Sequence, residues 1–212
     1  MMTLYGYWRS SASYRVRIAL GLKGIEVRHI PVNLREGEQL LAEHSKRNPQ
    51  GYLPVLELED GTRLTQSLAI LDYLDATHSN HPLMPEDAIL RSRILAASLI
   101  ITSDISPIQN LSVLKYIRAE HGQEDAGVKK WSAHWIAKGF ESLEKMASPD
   151  TKFFYTDTPM FFECCLVPQI YNARRFGVDM DRFPNLLRVE NACQSLEAFK
   201  TALPEAQTDA PK

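Results

Sequence analysis

Apolar and polar residues follow two different spacings along this chain, and the change between them divides it in two. Residues 3–7 and 27–32 are short runs rich in aromatic and β-branched residues, which is typical of strands. Residues 13–22 carry apolar side chains at helical intervals, and residues 37–47 and 67–77 are also predicted as helices. The early part of the chain is therefore predicted to alternate between strands and helices.

Asp60-Gly61 is the strongest short-range hairpin signal in the sequence, because this pair favours the tight turn between antiparallel strands. It predicts two short strands within residues 54–64. The order is then β-α-β-α-β-β-α, a parallel crossover unit followed by an antiparallel hairpin, which is thioredoxin-like. Gly24 is predicted to end the first helix, and Ser67 is predicted to cap the last one.

After Ala88 the pattern is helical, with broad apolar faces that indicate a helical core. We predict an α/β thioredoxin-like domain over residues 1–80, a linker over residues 81–87 and an all-α domain over residues 88–212. The closing segment, residues 204–212, is predicted to be a frayed tail.

Composition narrows the class of function. The 212 residues carry a formal net charge of -2, which gives no electrostatic reason to expect nucleic acid or an anionic membrane as partner. No apolar run reaches the ~20 residues that a membrane span needs, and the start does not resemble a secretory signal. The three cysteines, two of them adjacent at Cys164 and Cys165, predict reduced thiols in a cytoplasmic protein. His78 and His81 lie in a turn-like segment without further ligands, so no metal site is expected.

The stretch RSSAS, residues 9–13, stands where a strand gives way to a helix. A helix N-terminus has unpaired N–H groups and a partial positive charge, so it favours an anion such as a thiolate. Serine hydroxyls add charge-assisted hydrogen bonds to sulfur. Since Ala12 occupies the middle of the run, the thiol would come from a ligand. The alternative is that Ser10, Ser11 or Ser13 only caps the helix.

Two further segments favour a ligand. Leu53-Pro54 precedes the third strand, where a cis proline would turn the Leu53 backbone toward a bound molecule. Gln66 and Ser67 place an amide and a hydroxyl at another helix start, which suits a carboxylate. A thiolate pocket, a backbone clamp and a carboxylate pocket together fit a small thiol peptide.

At this point the sequence resembles the zeta class of the glutathione transferases over nearly its whole length. RSSASYRVRIAL is similar to the serine-rich motif of that class, S-S-C-S-W-R-V-R-I-A-L. Further matching segments include LKGIE, VNLREGEQ, NPQGYLPVL, TQSLAILDYL, PIQNLSVLKYI and CCLVPQIYNARRFGVD. The resemblance implies a glutathione transferase fold with glutathione as cofactor, and a homodimer.

The resemblance also assigns roles to residues of this chain. Ser10 and Ser11 correspond to the pair that meets the glutathione sulfur, next to Ala12. Leu53 and Pro54 correspond to the segment facing the cysteinyl part, and Gln66 and Ser67 to the pair at the γ-glutamyl end. The remaining correspondences are Gln39 for the glycyl end, Asn110, Leu111 and Ser112 for a helical segment lining the site, and Arg9 and Arg175 for the substrate carboxylates. Arg174 is an alternative to Arg175.

The reaction implied is cis–trans isomerisation of a small unsaturated dicarboxylate, by thiolate addition, bond rotation and elimination. The expected substrate is maleylacetoacetate, converted to fumarylacetoacetate in tyrosine and phenylalanine breakdown. Maleylpyruvate is an alternative substrate, and conjugation of electrophiles such as α-haloacids is an alternative activity. A non-enzymatic scaffold of the same fold is the alternative from another class.

Three positions depart from the pattern of the class. Ala12 replaces a cysteine, so side reactions of that thiol are expected to be absent. Ser106 stands where relatives carry glutamine or histidine, which predicts a weaker glutathione contact. Met160 replaces a hydroxyl cap before the helix that contains Glu163, and Thr158 with Pro159 is a possible substitute cap.

Overall fold

The computed structural model describes residues 1–211. The chain forms two compact units. The first contains Met1–Leu83 together with the chain from Gln194 onward, and the second contains Met84–Cys193. The C-terminal segment thus clusters with the N-terminal part of the chain.

The first unit contains a four-stranded sheet. Its strands are β1 (Thr3–Gly6), β2 (Arg28–Pro31), β3 (Val55–Glu57) and β4 (Arg63–Thr65), in the order β2-β1-β3-β4. β1 and β2 are parallel, whereas β1–β3 and β3–β4 are antiparallel. The predicted thioredoxin-like order is confirmed. Tyr5, Val32 and Val55 form a buried cluster, and Leu4 and Leu56 are buried on the opposite face because side chains alternate along a strand.

The helices of the first unit are α1 (Ser11–Lys23), α2 (Ala42–Ser45), α3 (Ser67–Thr77) and, later in the chain, α9 (Glu197–Thr201). α1 ends at Gly24, which has the left-handed conformation expected of a C-terminal stop. The continuous helix predicted over residues 37–47 is wrong. A 3-10 turn (Glu38–Leu40) and α2 replace it, with an extended backbone at Leu41 between them. Leu40 and Leu41 are exposed, so the apolar spacing there does not mark a buried helix face.

The second unit is helical, as predicted. It contains α4 (Ala88–Leu99), α5 (Leu111–His121), α6 (Asp125–Met146), α7 (Phe161–Phe176) and most of α8 (Pro184–Gln194). α4 continues into a π-helical turn (Ile100–Ile105) and then a 3-10 turn (Pro107–Gln109) before α5. No helix within residues 1–211 combines the length and apolar character that a membrane crossing requires.

Two expectations are wrong, one about the start of α7 and one about the C-terminal tail. α7 begins at Phe161 with Met160 as its N-cap, so Thr158 and Pro159 do not form the start of the helix. The Met160 N–H is nevertheless paired, because it donates to Glu163 Oε2 at 2.8 Å. The tail is not frayed either: residues 204–206 form a 3-10 turn, and Asp209 makes a hydrogen bond with the N-terminal part of the chain.

Candidate active site

The turn between β1 and α1 carries the serines that the sequence analysis singled out. Ser10 is the N-cap of α1, and its Oγ accepts a hydrogen bond from the Ser13 backbone N–H at 3.2 Å. Ser13 is buried, and its Oγ accepts from the Tyr7 N–H at 3.4 Å. The structure thus shows a helix-capping role for Ser10. Its hydroxyl can also donate a hydrogen bond while it accepts this one. Ser13 Oγ thus binds the backbone of Tyr7, the residue that follows β1.

Ser11 differs from both of these serines. It is the first residue of α1 and half-buried, and its hydroxyl makes no hydrogen bond within residues 1–211. It belongs to the first helical turn, where backbone N–H groups are unpaired and the helix dipole is positive. Ala12 follows it, half-buried and without a polar side chain. Ser11 is therefore the serine whose hydroxyl is uncommitted at this anion-favouring N-terminus.

The segment before β3 has the predicted geometry. The Leu53-Pro54 peptide bond is cis. Leu53 is half-buried and packs its side chain against the core cluster. Within the described part of the chain, neither the N–H nor the C=O of Leu53 is hydrogen-bonded. Both of these Leu53 groups are therefore available to hydrogen-bond with the backbone of an extended ligand.

The start of α3 is built differently from the prediction. Gln66, not Ser67, is the N-cap, and it has φ 64°, a left-handed value that is uncommon for a residue other than glycine. Gln66 Nε2 donates to Gln50 Oε1 at 2.8 Å. Ser67 is buried, and its Oγ accepts from Arg15 Nη1 at 3.2 Å. Because arginine only donates, the Ser67 hydroxyl hydrogen can point toward another acceptor, such as a carboxylate.

Strand register brings these segments to one end of the sheet. Tyr5 lies opposite Val55 in the antiparallel β1–β3 pair, so the chain leaving β1 toward α1 passes the chain entering β3. Val55 also lies opposite Thr65, so the chain leaving β4 toward α3 emerges at the same end. The α1 N-terminus, the cis-proline segment and the α3 N-terminus therefore converge.

Gln39 lies in the 3-10 turn that precedes α2. Its side chain is buried, and its Oε1 has no hydrogen-bond partner within residues 1–211. Its backbone carbonyl is close to Gly51, in the loop that leads to Leu53: a Cβ at Gly51 would lie 3.3 Å from that oxygen. A buried acceptor without a partner is unfavourable unless a ligand or water donates to it. The unpaired Oε1, the open Leu53 backbone and the Ser11 hydroxyl fit a peptide-like thiol such as glutathione.

Arg9 precedes these serines and is half-buried. Its guanidinium carbon lies 5.4 Å from the centroid of the Trp8 ring. Arg9 makes no ion pair within the described residues, so its charge is available to an anionic ligand.

The helical unit holds the other arginine candidates. Arg174 binds Glu190 through two guanidinium nitrogens, and the carboxylate of Glu190 is 3% exposed. Arg175 instead donates through Nε and Nη2 to Asn172 Oδ1, at 3.1 and 2.7 Å. The charge of Arg174 is therefore offset by a carboxylate, whereas the Asn172 oxygen that binds Arg175 belongs to a neutral amide. The ion pair with Glu190 makes Arg174 the less suitable of the two for binding a substrate carboxylate.

A relay of side-chain amides continues from Asn172. Asn172 Nδ2 donates to Gln109 Oε1 at 2.9 Å, and Gln109 Nε2 donates to Gln169 Oε1 at 2.9 Å. Ser106, the position of expected weaker glutathione contact, donates to the same Gln169 oxygen at 3.5 Å. The relay links α7 to the turn that leads into α5.

The predicted lining segment begins directly after that turn. Asn110 is the N-cap of α5, and its Oδ1 accepts from both the N–H and the hydroxyl of Ser112 at 3.0 Å. Leu111 and Ser112 are exposed. The structure thus shows capping roles for Asn110 and Ser112 within the helical unit.

Sequence reasoning missed three charged residues of the first unit. Arg15 and Arg17 are both buried in α1, and Asp209 lies in the supposedly frayed tail. The signal for the arginines was present in YRVRIAL, where both stand among apolar residues on a helix. Nothing local marked Asp209.

Similarity to known proteins agrees with this geometry. Residues 1–76 match the glutathione S-transferase N-terminal domain. A maleylacetoacetate isomerase from Rhizobium meliloti (strain 1021) is 44% identical over 95% of each chain. The holo structure of a bacterial maleyl pyruvate isomerase, described as a zeta-class glutathione transferase, has a TM-score of 0.96 at 38% identity, covering 99% of this chain and 100% of that one.

A third relative bears on the ligand. It is the crystal structure of maleylacetoacetate isomerase from Anaeromyxobacter dehalogenans 2CP-1 with glutathione in its active site. It is 40% identical, with a TM-score of 0.89, and covers 100% of this chain and 98% of that one. The fold and the convergent helix starts define a glutathione transferase. Within that class, the chain belongs to the zeta family.

Proposed function

We propose that the chain is a glutathione-dependent isomerase that converts maleylacetoacetate to fumarylacetoacetate. The observation that carries this proposal is the uncommitted, half-buried hydroxyl of Ser11 at the N-terminus of α1. When bound, glutathione supplies a thiolate that adds to the conjugated double bond, permits rotation and is then expelled unchanged. Ser11 donates a hydrogen bond to that sulfur, and the α1 dipole favours its ionised form.

Other residues of the first unit hold the tripeptide in place. The Leu53 backbone pairs with its cysteinyl part, and Gln39 Oε1 accepts from its glycyl N–H. Ser67 and the N-terminus of α3 receive the γ-glutamyl carboxylate, with Arg15 behind Ser67. Each of these roles uses a polar group that the fold leaves open or orients outward.

The resemblance to the zeta class assigns Arg9 and Arg175 to the substrate carboxylates, and a guanidinium matches a carboxylate through two parallel hydrogen bonds. Their positive charge also stabilises the negative charge that develops on the substrate carbonyl during addition. For Asn110 and Ser112 we keep the lining role that the resemblance implies.

The test compares maleylacetoacetate with maleylpyruvate, each with and without glutathione. Maleylpyruvate is included because the bacterial maleyl pyruvate isomerase structure is so similar. Ser11→Ala is expected to lower kcat/KM by about 100-fold, while exposed Ser79→Ala leaves it unchanged. Turnover that does not require glutathione, or that survives Ser11→Ala, would reject the proposal. Faster turnover of maleylpyruvate would replace the substrate but keep the mechanism.

We also propose a cytoplasmic homodimer. Leu95 and Leu99 are four residues apart on α4, and each is 40% exposed, which favours an apolar partner surface. The three cysteines are free and buried, consistent with a reducing compartment. Sedimentation of the wild type and of Leu99→Lys tests the assembly: the variant is expected to sediment as a monomer, and an unchanged dimer would exclude this face.

A further inference from the structure

The peptide unit of Trp8 is held on both sides by charged side chains from distant parts of the first unit. Its N–H donates to Asp209 Oδ2 at 2.9 Å, across 201 residues of sequence. Its C=O accepts from Arg17 Nη2 at 2.9 Å. β1 ends at Gly6, so Trp8 has no strand partner for these groups. We call this arrangement of Asp209, Trp8 and Arg17 the Trp8 clasp.

Arg17 ties the clasp together from α1. Besides Trp8, its guanidinium donates to the carbonyl of Tyr7 at 3.5 Å and to that of Ala202 at 3.1 Å. Burial lowers the pKa of Arg17 to about 10, so it remains a cation at neutral pH. Ala202 directly follows α9, and Asp209 lies seven positions further along. The C-terminal segment is therefore fastened at two points to the turn that leads into α1.

The clasp acts on the backbone that positions Ser11. Trp8 lies between Tyr7, whose carbonyl accepts from the Ser10 N–H at 3.0 Å, and the helix start itself. Releasing the Trp8 N–H leaves one side of this short turn without its partner. A small displacement of the turn changes where the Ser10 and Ser11 hydroxyls stand relative to a bound anion.

We propose that Asp209 is a positioning residue for the thiolate site, which acts by holding the Trp8 N–H and so fixing Ser11. This inference rests on the proposed function of Ser11. The C-terminal segment is then a working part of the active-site turn, without touching glutathione or substrate.

The test is a set of three single variants. Asp209→Ala removes the acceptor, Asp209→Asn keeps an acceptor oxygen without the charge, and exposed Thr208→Ala is the matched control. Glutathione thiolate formation in the complex is followed by ultraviolet absorbance against pH, together with kcat and KM. For Asp209→Ala we expect the thiolate population at neutral pH and kcat/KM to fall by about tenfold or more, since small misplacements near reacting groups have large effects. Thr208→Ala is expected to match the wild type, and Asp209→Asn, which keeps an acceptor for the Trp8 N–H without the charge, is expected to retain most of the wild-type thiolate population.

A double variant separates positioning from general destabilisation. If Asp209 acts through Ser11, then Asp209→Ala made in the Ser11→Ala background leaves thiolate formation where Ser11→Ala alone puts it. Urea unfolding of each variant shows whether the measured protein is folded. An Asp209→Ala protein that is less stable but ionises glutathione normally would overturn the inference, and so would an Asp209→Asn protein that behaves like Asp209→Ala. A wild type that does not ionise glutathione would instead reject the proposed function.

Discussion

The turn before α1 in the first unit and Arg175 in the helical unit are held by different kinds of hydrogen bond. In the thioredoxin-like unit, charged side chains grip the backbone: Arg17 and Asp209 hold Trp8, and buried Lys23 holds three carbonyl groups. In the helical unit, neutral amides hold a charged side chain, as Asn172 and Gln109 do for Arg175. Charged side chains make the stronger hydrogen bonds to the backbone of the turn, whereas the Asn172 oxygen that accepts from Arg175 is neutral.

The neighbouring arginines of α7 show this within one helix. Arg174 is paired with the buried carboxylate of Glu190 and serves the packing of α7 on α8. Arg175 donates to a neutral acceptor, the amide oxygen of Asn172. The two adjacent arginines thus bind acceptors of different charge.

The largest effect is expected for Lys23, the buried cation that binds backbone carbonyls in the first unit. Lys23 Nζ is fully buried, donates to the carbonyls of His78, Asn80 and His81, and pairs with Asp75 at 2.9 Å. Lys23→Met leaves a carboxylate and three carbonyls without this partner, so we expect a loss of about 3–5 kcal/mol in the free energy of unfolding. Urea denaturation measures it, with exposed Lys46→Met as control. A loss below about 1 kcal/mol would show that the grip contributes little.

Glu163 is a buried carboxyl of the helical unit that binds backbone N–H groups, and it predicts a pH dependence of stability. Its carboxyl accepts from the N–H groups of Phe154 and Met160, and burial raises its pKa from 4.5 to about 7. The folded state therefore binds more protons than the unfolded state between these values, so stability falls as pH rises from about 4.5 to about 7. We expect a loss of up to about 3 kcal/mol across this window. Urea unfolding at several pH values should show it for the wild type and not for Glu163→Gln; equal pH dependence in both would contradict it.

Arg175→Ala against Arg174→Ala sharpens the comparison within α7. Arg175→Ala is expected to lower kcat/KM for the dicarboxylate by about 100-fold with little change in Tm, because it removes a substrate contact. Arg174→Ala is expected to lower Tm while the folded enzyme keeps its activity, because Glu190 loses its partner. Steady-state kinetics and thermal unfolding decide the matter, and the reverse pattern would make Arg174 the functional arginine.

Asn172→Asp tests the need for a neutral support. The new carboxylate would offset the charge of Arg175 as Glu190 offsets that of Arg174, and it would lose the hydrogen bond to Gln109. We expect kcat/KM for the dicarboxylate to fall by about tenfold through a higher KM, with glutathione ionisation unchanged. Exposed Asn191→Asp is the control. An unchanged KM would show that the neutrality of Asn172 is not required.

Local patterns predicted much of the fold and the core of the candidate site. Asp60-Gly61 located the hairpin, Leu53-Pro54 has the predicted cis bond, and Ser10 and Ser11 lie at the start of α1 as predicted. These features depend on neighbours in sequence, so a short window contains the information.

What the sequence did not reveal depends on distant partners. Asp209 looks like part of a polar tail until the fold brings it to Trp8, and Gln109, Asn172 and Gln169 look like ordinary polar residues on separate elements. The prediction of a continuous helix through Leu41 was wrong because the spacing of apolar residues does not show whether they face a core. The three serines have similar side chains, and only their hydrogen bonds distinguish Ser11 from the others.

Ala12 leaves the start of α1 without a thiol, and all three cysteines of the chain are buried elsewhere. Thiol reagents such as maleimides and iodoacetamide thus find no accessible cysteine on the folded polypeptide. The thiolate of a bound tripeptide would therefore be labelled or titrated without interference from accessible protein thiols, which makes this chain a favourable host for following that thiolate directly.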